Sequence, residues 1–314
     1  PVNQLKKIPF LTKKIIKNNL PYNILDKKRT IYTTEKTSGS SGHQGVYYLD
    51  KTAYSNVIAV QSLWWEWSGF RFGDTVLQTG MTLDRGFVKF LKDLLLRVNY
   101  IQAFSIDDKT IRKNLLPCQG KNAYFMGYAS SLYTYAQYAD RKKIHSLKFE
   151  SVVSWGDKMF PHYRKLIEKV FNTEVYDTYG AAEGLMIAAE CEKHNYHIAT
   201  PHVLVEILDK DGQEVREGEI GEVFVTSLTN YLMPLIRYKV GDLAVKANES
   251  KVCSCGRNLP ILEKIIGRDT DIIYSPKGKA LIVHFFTGIL EHVQEIKQFQ
   301  VYQKYQGSEV EIRY

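Results

Sequence analysis

The sequence predicts an α/β fold that passes into a β region, and three observations carry this expectation. Between Ile58 and Glu183, short strand-like runs alternate with helical stretches. The last of these cycles is a complete strand–helix–strand unit. From Val203 onward, strand-like runs follow one another across Gly-containing turns with no helical stretch between them.

The unit is read from its residues. Leu147 to Trp155 is strand-like and closes at Gly156. Pro161 to Phe171 puts Tyr163, Leu166, Ile167, Val170 and Phe171 on one helical stripe, and Thr173 to Thr178 forms a second strand. Two such strands run parallel with a right-handed crossover. Gly156-Asp157-Lys158 and Tyr179 to Glu183 therefore emerge at the same sheet edge, where open parallel sheets bind ligands. Strands at Thr75–Gln78, Tyr100–Phe104 and Ala123–Gly127 fit the same sheet, and Ser130–Ala139 reads as a helix.

Farther on, Val203–Leu208, a turn at Asp209-Lys210-Asp211-Gly212, Ile220–Ser227, Leu235-Ile236-Arg237-Tyr238 and Leu243–Val245 predict a small antiparallel barrel or sheet. Gly267-Arg268-Asp269 marks another change, into a strand at Ile272-Ile273 and a helix-like run from Phe285 to Val293. The expected organisation is an α/β part over 1–202, a β subdomain over 203–266 and a further α+β segment over 267–314.

Composition narrows the class of function. At 314 residues, with 44% hydrophobic and 24% charged side chains, the chain has ample material for a core, which excludes wholesale disorder and a disulfide miniprotein. Its net charge of +8 suits a polyanionic partner only if clustered. The densest basic run, Lys6 to Arg29, reads as a solvated helical face better than as a nucleic-acid arm, and the aromatic residues follow no RNA-binding signature. No apolar run approaches the roughly eighteen residues of a membrane span, and no signal peptide is recognisable, so a cytoplasmic location is expected. Four cysteines do not suggest a disulfide framework.

Two constellations carry chemistry. Thr37-Ser38-Gly39-Ser40-Ser41-Gly42 lies between strand-like Thr30–Thr34 and Val46–Leu49. Its glycines allow close backbone approach and its hydroxyls donate, so it can wrap phosphate; a flexible polar hairpin is the plainer reading of the segment alone. Cys191, His194, His197, Cys253 and Cys255 are thiols and imidazoles of the kind that hold structural zinc, although their spacing alone fits buried free thiols equally well. Cys118 stands apart as a small buried side chain.

The hydroxyl loop, Tyr179-Gly180-Ala181-Ala182-Glu183, Tyr238-Lys239-Val240-Gly241-Asp242 and Gly267-Arg268, in that order, resemble the adenylate-forming (AMP-binding) superfamily. Pro234-Leu235-Ile236-Arg237-Tyr238 and Cys253-Ser254-Cys255-Gly256-Arg257 are similar to its phenylacetate-CoA ligase branch. Trp64-Trp65-Glu66-Trp67-Ser68-Gly69 is similar to that branch's capsule-biosynthesis relatives. The resemblance covers roughly Leu5 to Tyr314. It implies a large domain of parallel sheets, helices and a small β-barrel, followed by the beginning of a mobile C-terminal domain.

By that resemblance Thr37 to Gly42 hold the ATP phosphates, with Ser40 and Glu183 as the catalytic candidates. Gly156, Asp157 and Lys158 lie against adenine, Tyr179 stacks on it, and Asp177, Thr178 and Gly180 adjoin it. Glu183 holds magnesium, Asp242 binds the ribose hydroxyls, and Arg268 reaches ribose or phosphate. Singly, Glu183 also reads as a helix-cap charge, Tyr179 as a core aromatic and Asp242 as a turn former. The acid is expected against Trp65, Tyr128, Ser131, Trp155 and Ala181, although core packing explains Trp65 and Tyr128 as well. The resemblance favours zinc on Cys191, His197, Cys253 and Cys255, with His197 preferred to His194.

The chain also departs from the family pattern. The phosphate loop closes on His43-Gln44-Gly45 where the family places a lysine, so a cation on the phosphates is missing from it. Thr270 stands where the hinge aspartate is usual, and no catalytic lysine is assigned before Tyr314. The resemblance implies ATP- and Mg²⁺-dependent activation of a small carboxylic acid, with coenzyme A or an amine of surface-polysaccharide assembly as acceptor, and it allows a homodimer. The rival readings are a nucleotide binder that has lost catalysis and a basic polyanion-binding module.

Overall fold

A computed structural model describes residues 2–20, 24–36, 45–81, 87–104, 107–120, 122–144, 147–268, 272–276, 280–282, 286, 299–305 and 307–314. The chain opens with α1 (Val2–Leu5), α2 (Lys13–Asn19), a hairpin of β1 (Thr33–Lys36) and β2 (Val46–Leu49), and the long helix α3 (Lys51–Trp67). Asp50 starts α3 by accepting the Ala53 N–H at 2.8 Å, satisfying one of the donors a helix N-terminus leaves free.

Alternation follows as the sequence predicts: β3 (Thr75–Gly80), α4 (Phe87–Leu95), β4 (Val98–Gln102), α5 (Asp108–Leu115), β5 (Ala123–Tyr128), α6 (Ala129–Arg141), β6 (Val152–Trp155), α7 (Pro161–Phe171) and β7 (Val175–Ala181). Proline at the first helical position opens α7 and Asn172, in the left-handed region at φ 47°, closes it. Ile167 and Phe171 from its buried stripe enter a core with Phe125, Tyr135, Phe149 and Val152. On the opposite sheet face, Phe70, Tyr124, Met126, Val153 and Tyr176 form a second cluster. This is the period-two sidedness of strands covered on both faces.

The remaining strands are β8 (Leu185–Glu190), β9 (Tyr196–Ile198), β10 (Val203–Leu208), β11 (Ile220–Ser227), β12 (Tyr238–Lys246), β13 (Ile261–Arg268), β14 (Ile272–Tyr274), β15 (Ala280–Ile282), β16 (Gln300–Gln303) and β17 (Val310–Arg313). Eleven strands form one sheet in the order β10-β11-β12-β13-β9-β8-β7-β6-β5-β3-β4. The parallel and antiparallel parts meet on β7. Its first residues, Val175 to Asp177, pair parallel with β6, and Thr178 to Ala181 pair antiparallel with β8. A strand that changes partner midway opens the ladder at that point, and the candidate site lies there.

Three expectations need correction. Leu235–Arg237 are not strand. Arg237 takes φ 48°, which breaks the extended run, because its guanidinium is buried (4% exposed) against both carboxylate oxygens of Glu206 and the carbonyls of Lys6 and Ile8. Leu147 to Ser151 precede the paired strand, which begins only at Val152. The antiparallel strands continue the main sheet, and their ladder begins with β8, ahead of Val203. The helix-like run from Phe285 to Val293 lies outside the described residues except for Phe286. Among the described residues no helix is long and apolar enough to cross a membrane.

Candidate functional site

A cavity of about 810 Å³ opens beside β7, lined by residues from three of the segments that the sequence singled out and from the turn after β6. Gly156 to Lys158 follow β6, Thr178 to Gly180 belong to β7, Asp242 to β12, and Gly267 and Arg268 to the end of β13. Close packing fixes two of the glycines. Gly156 has φ 82°, and a Cβ there would meet the Tyr128 ring at 2.6 Å; a Cβ on Gly180 would lie 2.8 Å from the Leu185 carbonyl oxygen.

Asp242 is held from two sides. Tyr179 donates its hydroxyl to Oδ2 at 2.8 Å, and Arg268 Nε lies 3.2 Å from Oδ1. Asp242 and Arg268 are direct partners across β12 and β13, which fixes the ion pair by register. Burial and the Asp242 charge push the Tyr179 hydroxyl well above the usual tyrosine range, so it remains a donor.

The segment after β6 is tied down by its own side chains. Asp157 accepts the Ala129 and Ser130 N–H groups and so caps α6 from a different loop. Lys158 donates to the Ile265 carbonyl at 2.9 Å and to that of Ile266, joining the α/β half to β13. Burial, reinforced by Lys264, lowers the Lys158 ammonium to about 8.

Arg164, Glu190 and Tyr196, which the sequence reading did not single out, complete the inner wall. Arg164 holds both Glu190 oxygens at 2.9 and 2.8 Å, and Glu190 also accepts the Asp177 N–H. The Asp177 carboxylate accepts the hydroxyls of Ser154 and Tyr196, the latter at 2.6 Å. Burial, with Glu190 nearby, pushes it up to about 7. Thr178 is anchored on the Ser154 carbonyl. No short-range pattern signals this network, since its members come from α7, β6, β7, β8 and β9.

Glu183 lies past the end of β7, in a buried group adjoining β2. Its Oε1 accepts the Tyr238 hydroxyl at 2.7 Å, Tyr238 and Tyr47 share a hydrogen bond of 2.9 Å, and Lys13 Nζ lies 4.0 Å from the same Oε1. Thr37 to Gly42, Ser40 included, lie outside the described residues; Tyr47 stands on β2, the strand that follows them. A carboxylate with hard oxygen donors fits magnesium, which takes one or two carboxylates together with phosphate oxygens.

The residues expected around the acid divide. Trp65 and Trp155 stack at 6.2 Å beside Phe70, and Tyr128 meets Phe104 at 5.1 Å while touching the Gly156 turn. Ala181 packs against the β-region core. Ser131 is 1% exposed inside α6, away from the cavity lining, with a hydroxyl that has no hydrogen-bond partner among the described residues.

The second constellation closes into a cluster. Ligand atoms of Cys191, His197, Cys253 and Cys255 all lie within 4.8 Å of one another. His197 Nδ1 faces the Leu259 carbonyl at 3.3 Å, which leaves Nε2, 3.3 Å from Cys255 Sγ, free for a metal. Three thiols and an imidazole in this arrangement suit zinc. His194 turns away, with Nδ1 3.5 Å from Glu190. Trp67, at the end of α3, packs edge-on against His197 and lies under the Arg257 guanidinium, so the tryptophan-rich stretch supports this cluster.

No protein-family model matches the chain. It is 33% identical over 132 residues to the phenylacetate-coenzyme A ligase of Thermus thermophilus, covering 40% of this chain and 29% of that protein. It is 27% identical over 302 residues to Protein CapK of Staphylococcus aureus, covering 92% of this chain and 64% of that one. The chain thus spans less than two thirds of the length of either relative. Among solved structures, 2-hydroxyisobutyryl-CoA ligase in the postadenylation state superposes with a TM-score of 0.77 at 18% identity, over 98% of this chain and 68% of that one. The chain is similar in sequence to phenylacetate-coenzyme A ligases and to CapK, and it shares the fold of 2-hydroxyisobutyryl-CoA ligase.

Proposed function

We propose that the protein joins a carboxylic acid to AMP, releasing pyrophosphate from ATP, and passes the acyl group to the thiol of coenzyme A. The observation that carries this reading is the convergence of Tyr179, Asp242, Arg268 and the Gly156 turn on one cavity at the partner switch of β7. A flat aromatic residue, a carboxylate oriented by two donors and an arginine form a set suited to adenine, vicinal ribose hydroxyls and phosphate.

In the first step a carboxylate oxygen of the acid attacks the α-phosphorus, the bond to the β-phosphate oxygen breaks and pyrophosphate leaves. In the second, the thiol sulfur attacks the acyl carbon and AMP departs. Neither step requires a Ser-His-Asp set; the protein's contribution is alignment and charge neutralisation. Asp242 fixes the ribose, Tyr179 and the Gly156 turn sandwich the base, and Arg268 draws the phosphate into line. Glu183 would hold magnesium, which when bound would neutralise phosphate charge. Cys191, His197, Cys253 and Cys255 would hold zinc with four protein ligands, a set that leaves no open position and so would serve structure rather than the chemistry.

Relatives named phenylacetate-coenzyme A ligase, and a neighbour whose structure holds an acyl-AMP, support the thiol acceptor and the adenylate. The test is exchange of labelled pyrophosphate into ATP. Exchange that depends on an added carboxylic acid is expected, followed by thioester formation when coenzyme A is supplied. Exchange with transfer to an amine but not to coenzyme A would move the acceptor to the amine class. Tight ATP binding without exchange for any acid would leave a nucleotide binder and defeat the enzymatic reading.

A further inference from the structure

We propose that Lys158 is a positioning residue of the nucleotide site: by holding the carbonyls of Ile265 and Ile266 it fixes the bulged end of β13 in the direction that delivers Arg268 to Asp242. The proposal rests on the reading of the cavity beside β7 as a nucleotide site. Lys158, Asp242, Ile265, Gly267 and Arg268 all line that cavity.

The end of β13 is the part of the wall that its own ladder holds least. Across the pairing with β12, Leu243 faces Gly267 and Ala244 faces Ile265, which makes Ile266 an extra residue, a β-bulge. Gly267 then takes φ 125°, where a side chain would be strained. A bulge re-aims whatever lies beyond it, and a glycine beside it restricts the backbone less than any other residue. What lies beyond is Arg268, whose Nε is 3.2 Å from Asp242 Oδ1. The Arg268 side chain is 43% exposed and its bond to the Val240 carbonyl is long at 3.4 Å, so it does little to fix its own strand end.

Lys158 supplies the restraint from a different element, the turn after β6. Its Nζ donates to the carbonyl of the bulged residue and, at 2.9 Å, to that of the residue before it, and a Cβ on Gly267 would lie 4.0 Å from it. Two of the three donors of the ammonium are thus spent on the bulge. The charged groups that face it are Lys264 on β13, Asp177 on β7 and Asp242 on β12, while Asp157 beside it is engaged on α6. Burial brings its proton loss down to about pH 8. A neutral amine grips a carbonyl more weakly than an ammonium does, so the hold on β13 loosens as pH rises through that value. Removing a buried charge over the same window stabilises the fold. Nucleotide affinity and stability therefore move in opposite directions, and a loss of affinity there is not a loss of fold.

The experiment measures ATP and AMP binding by calorimetry, with Mg²⁺ present, at about pH 7 and about pH 9, for the unmodified chain, Lys158→Met, Lys158→Arg and Asp242→Ala. At the lower pH, Lys158→Met is expected to bind both nucleotides about tenfold more weakly, as for loss of charge-assisted bonds, and by similar factors because both carry the ribose. Between the two pH values the unmodified chain should lose about fivefold in affinity relative to Lys158→Met, other titrating groups cancelling in the comparison. Lys158→Arg, whose guanidinium stays charged, should bind well at both. Parallel pH profiles for the unmodified chain and Lys158→Met, or a loss confined to ATP, overturn the proposal. Should Lys158→Met not fold, the unmodified chain and Lys158→Arg decide: equal pH dependence in those two overturns it. Weak binding by Asp242→Ala with no effect at Lys158 overturns the Lys158 role alone. Unchanged binding in Asp242→Ala, or no ATP binding by the unmodified chain, overturns the nucleotide-site reading and the Lys158 role with it.

Discussion

Tyr179 on β7 donates its hydroxyl to Asp242 on β12 at 2.8 Å, while Arg268 on β13 holds the other carboxylate oxygen. Three strands thus aim one acidic group into the cavity. If that group accepts the ribose hydroxyls, Asp242→Ala removes both acceptors, and ATP affinity should fall by about tenfold to a hundredfold. Tyr179→Phe keeps the ring and removes only one orienting bond, so a loss of a few-fold is expected. Titration calorimetry with ATP measures both. Equal affinities in all three proteins would rule out ribose recognition by Asp242.

Glu183 is buried yet accepts from Tyr238, so its charge and its hydrogen bonding can be separated. Glu183→Gln retains a carbonyl oxygen for the Tyr238 hydroxyl and removes the negative charge. Mg²⁺-dependent exchange should fall by about a hundredfold, the scale of losing one preorganised electrostatic group, while the melting temperature changes little. Exchange near the wild-type rate would remove Glu183 from the magnesium role.

Local chemistry was readable where it is local. Proline at the start and an asparagine able to adopt φ 47° at the end set the limits of α7, and both ends agree with the sequence pattern. The convergence of Tyr179, Asp242 and Arg268 was readable only through motif order, since no spacing rule brings residues of three strands together. Asp157 was assigned to the base by motif position, but its carboxylate serves the N-terminus of α6, a role visible only once the two elements meet. Arg237 misled the reading for a similar reason. Leu235 to Tyr238 has the composition of a strand, and the pull of Glu206 and two N-terminal carbonyls on a buried guanidinium overrides it. Lys13, in the basic run read as a solvated face, is part-exposed and lies 4.0 Å from the buried Glu183 carboxylate, while Lys6, Lys7, Lys14 and Lys17 are exposed as that reading expects.

The metal cluster gives a prediction in which the two histidines behave differently. His197→Ala should lose bound zinc, whereas His194→Ala, which removes a side chain turned toward Glu190, should keep it. Elemental analysis is expected to find about one zinc per chain in the unmodified protein, as a closed four-ligand site requires. Chelation should lower the melting temperature, because the bound metal contributes folding free energy. Retention of zinc by His197→Ala would exclude the ligand set of Cys191, His197, Cys253 and Cys255.

Lys158 supplies a test in pH. Its ammonium is lowered to about 8 in the folded chain against 10.5 for an exposed lysine, chiefly by burial and secondarily by Lys264. The unfolded chain therefore binds more protons between about pH 8 and pH 10.5, and stability attributable to this group rises with pH across that window. Below pH 8 the lysine is charged in both states, and the full cost of burying it is present; above 10.5 it is neutral in both, and the cost has gone. Lys158→Met removes the titration together with the bonds to the Ile265 and Ile266 carbonyls. Denaturant unfolding of both proteins from pH 7 to 10.5 should show the unmodified chain gaining stability relative to Lys158→Met as pH rises, since other titrating groups cancel in the difference. A difference independent of pH would mean that Lys158 is as well solvated as a surface lysine, and the link between the Gly156 turn and β13 would then not be a buried one.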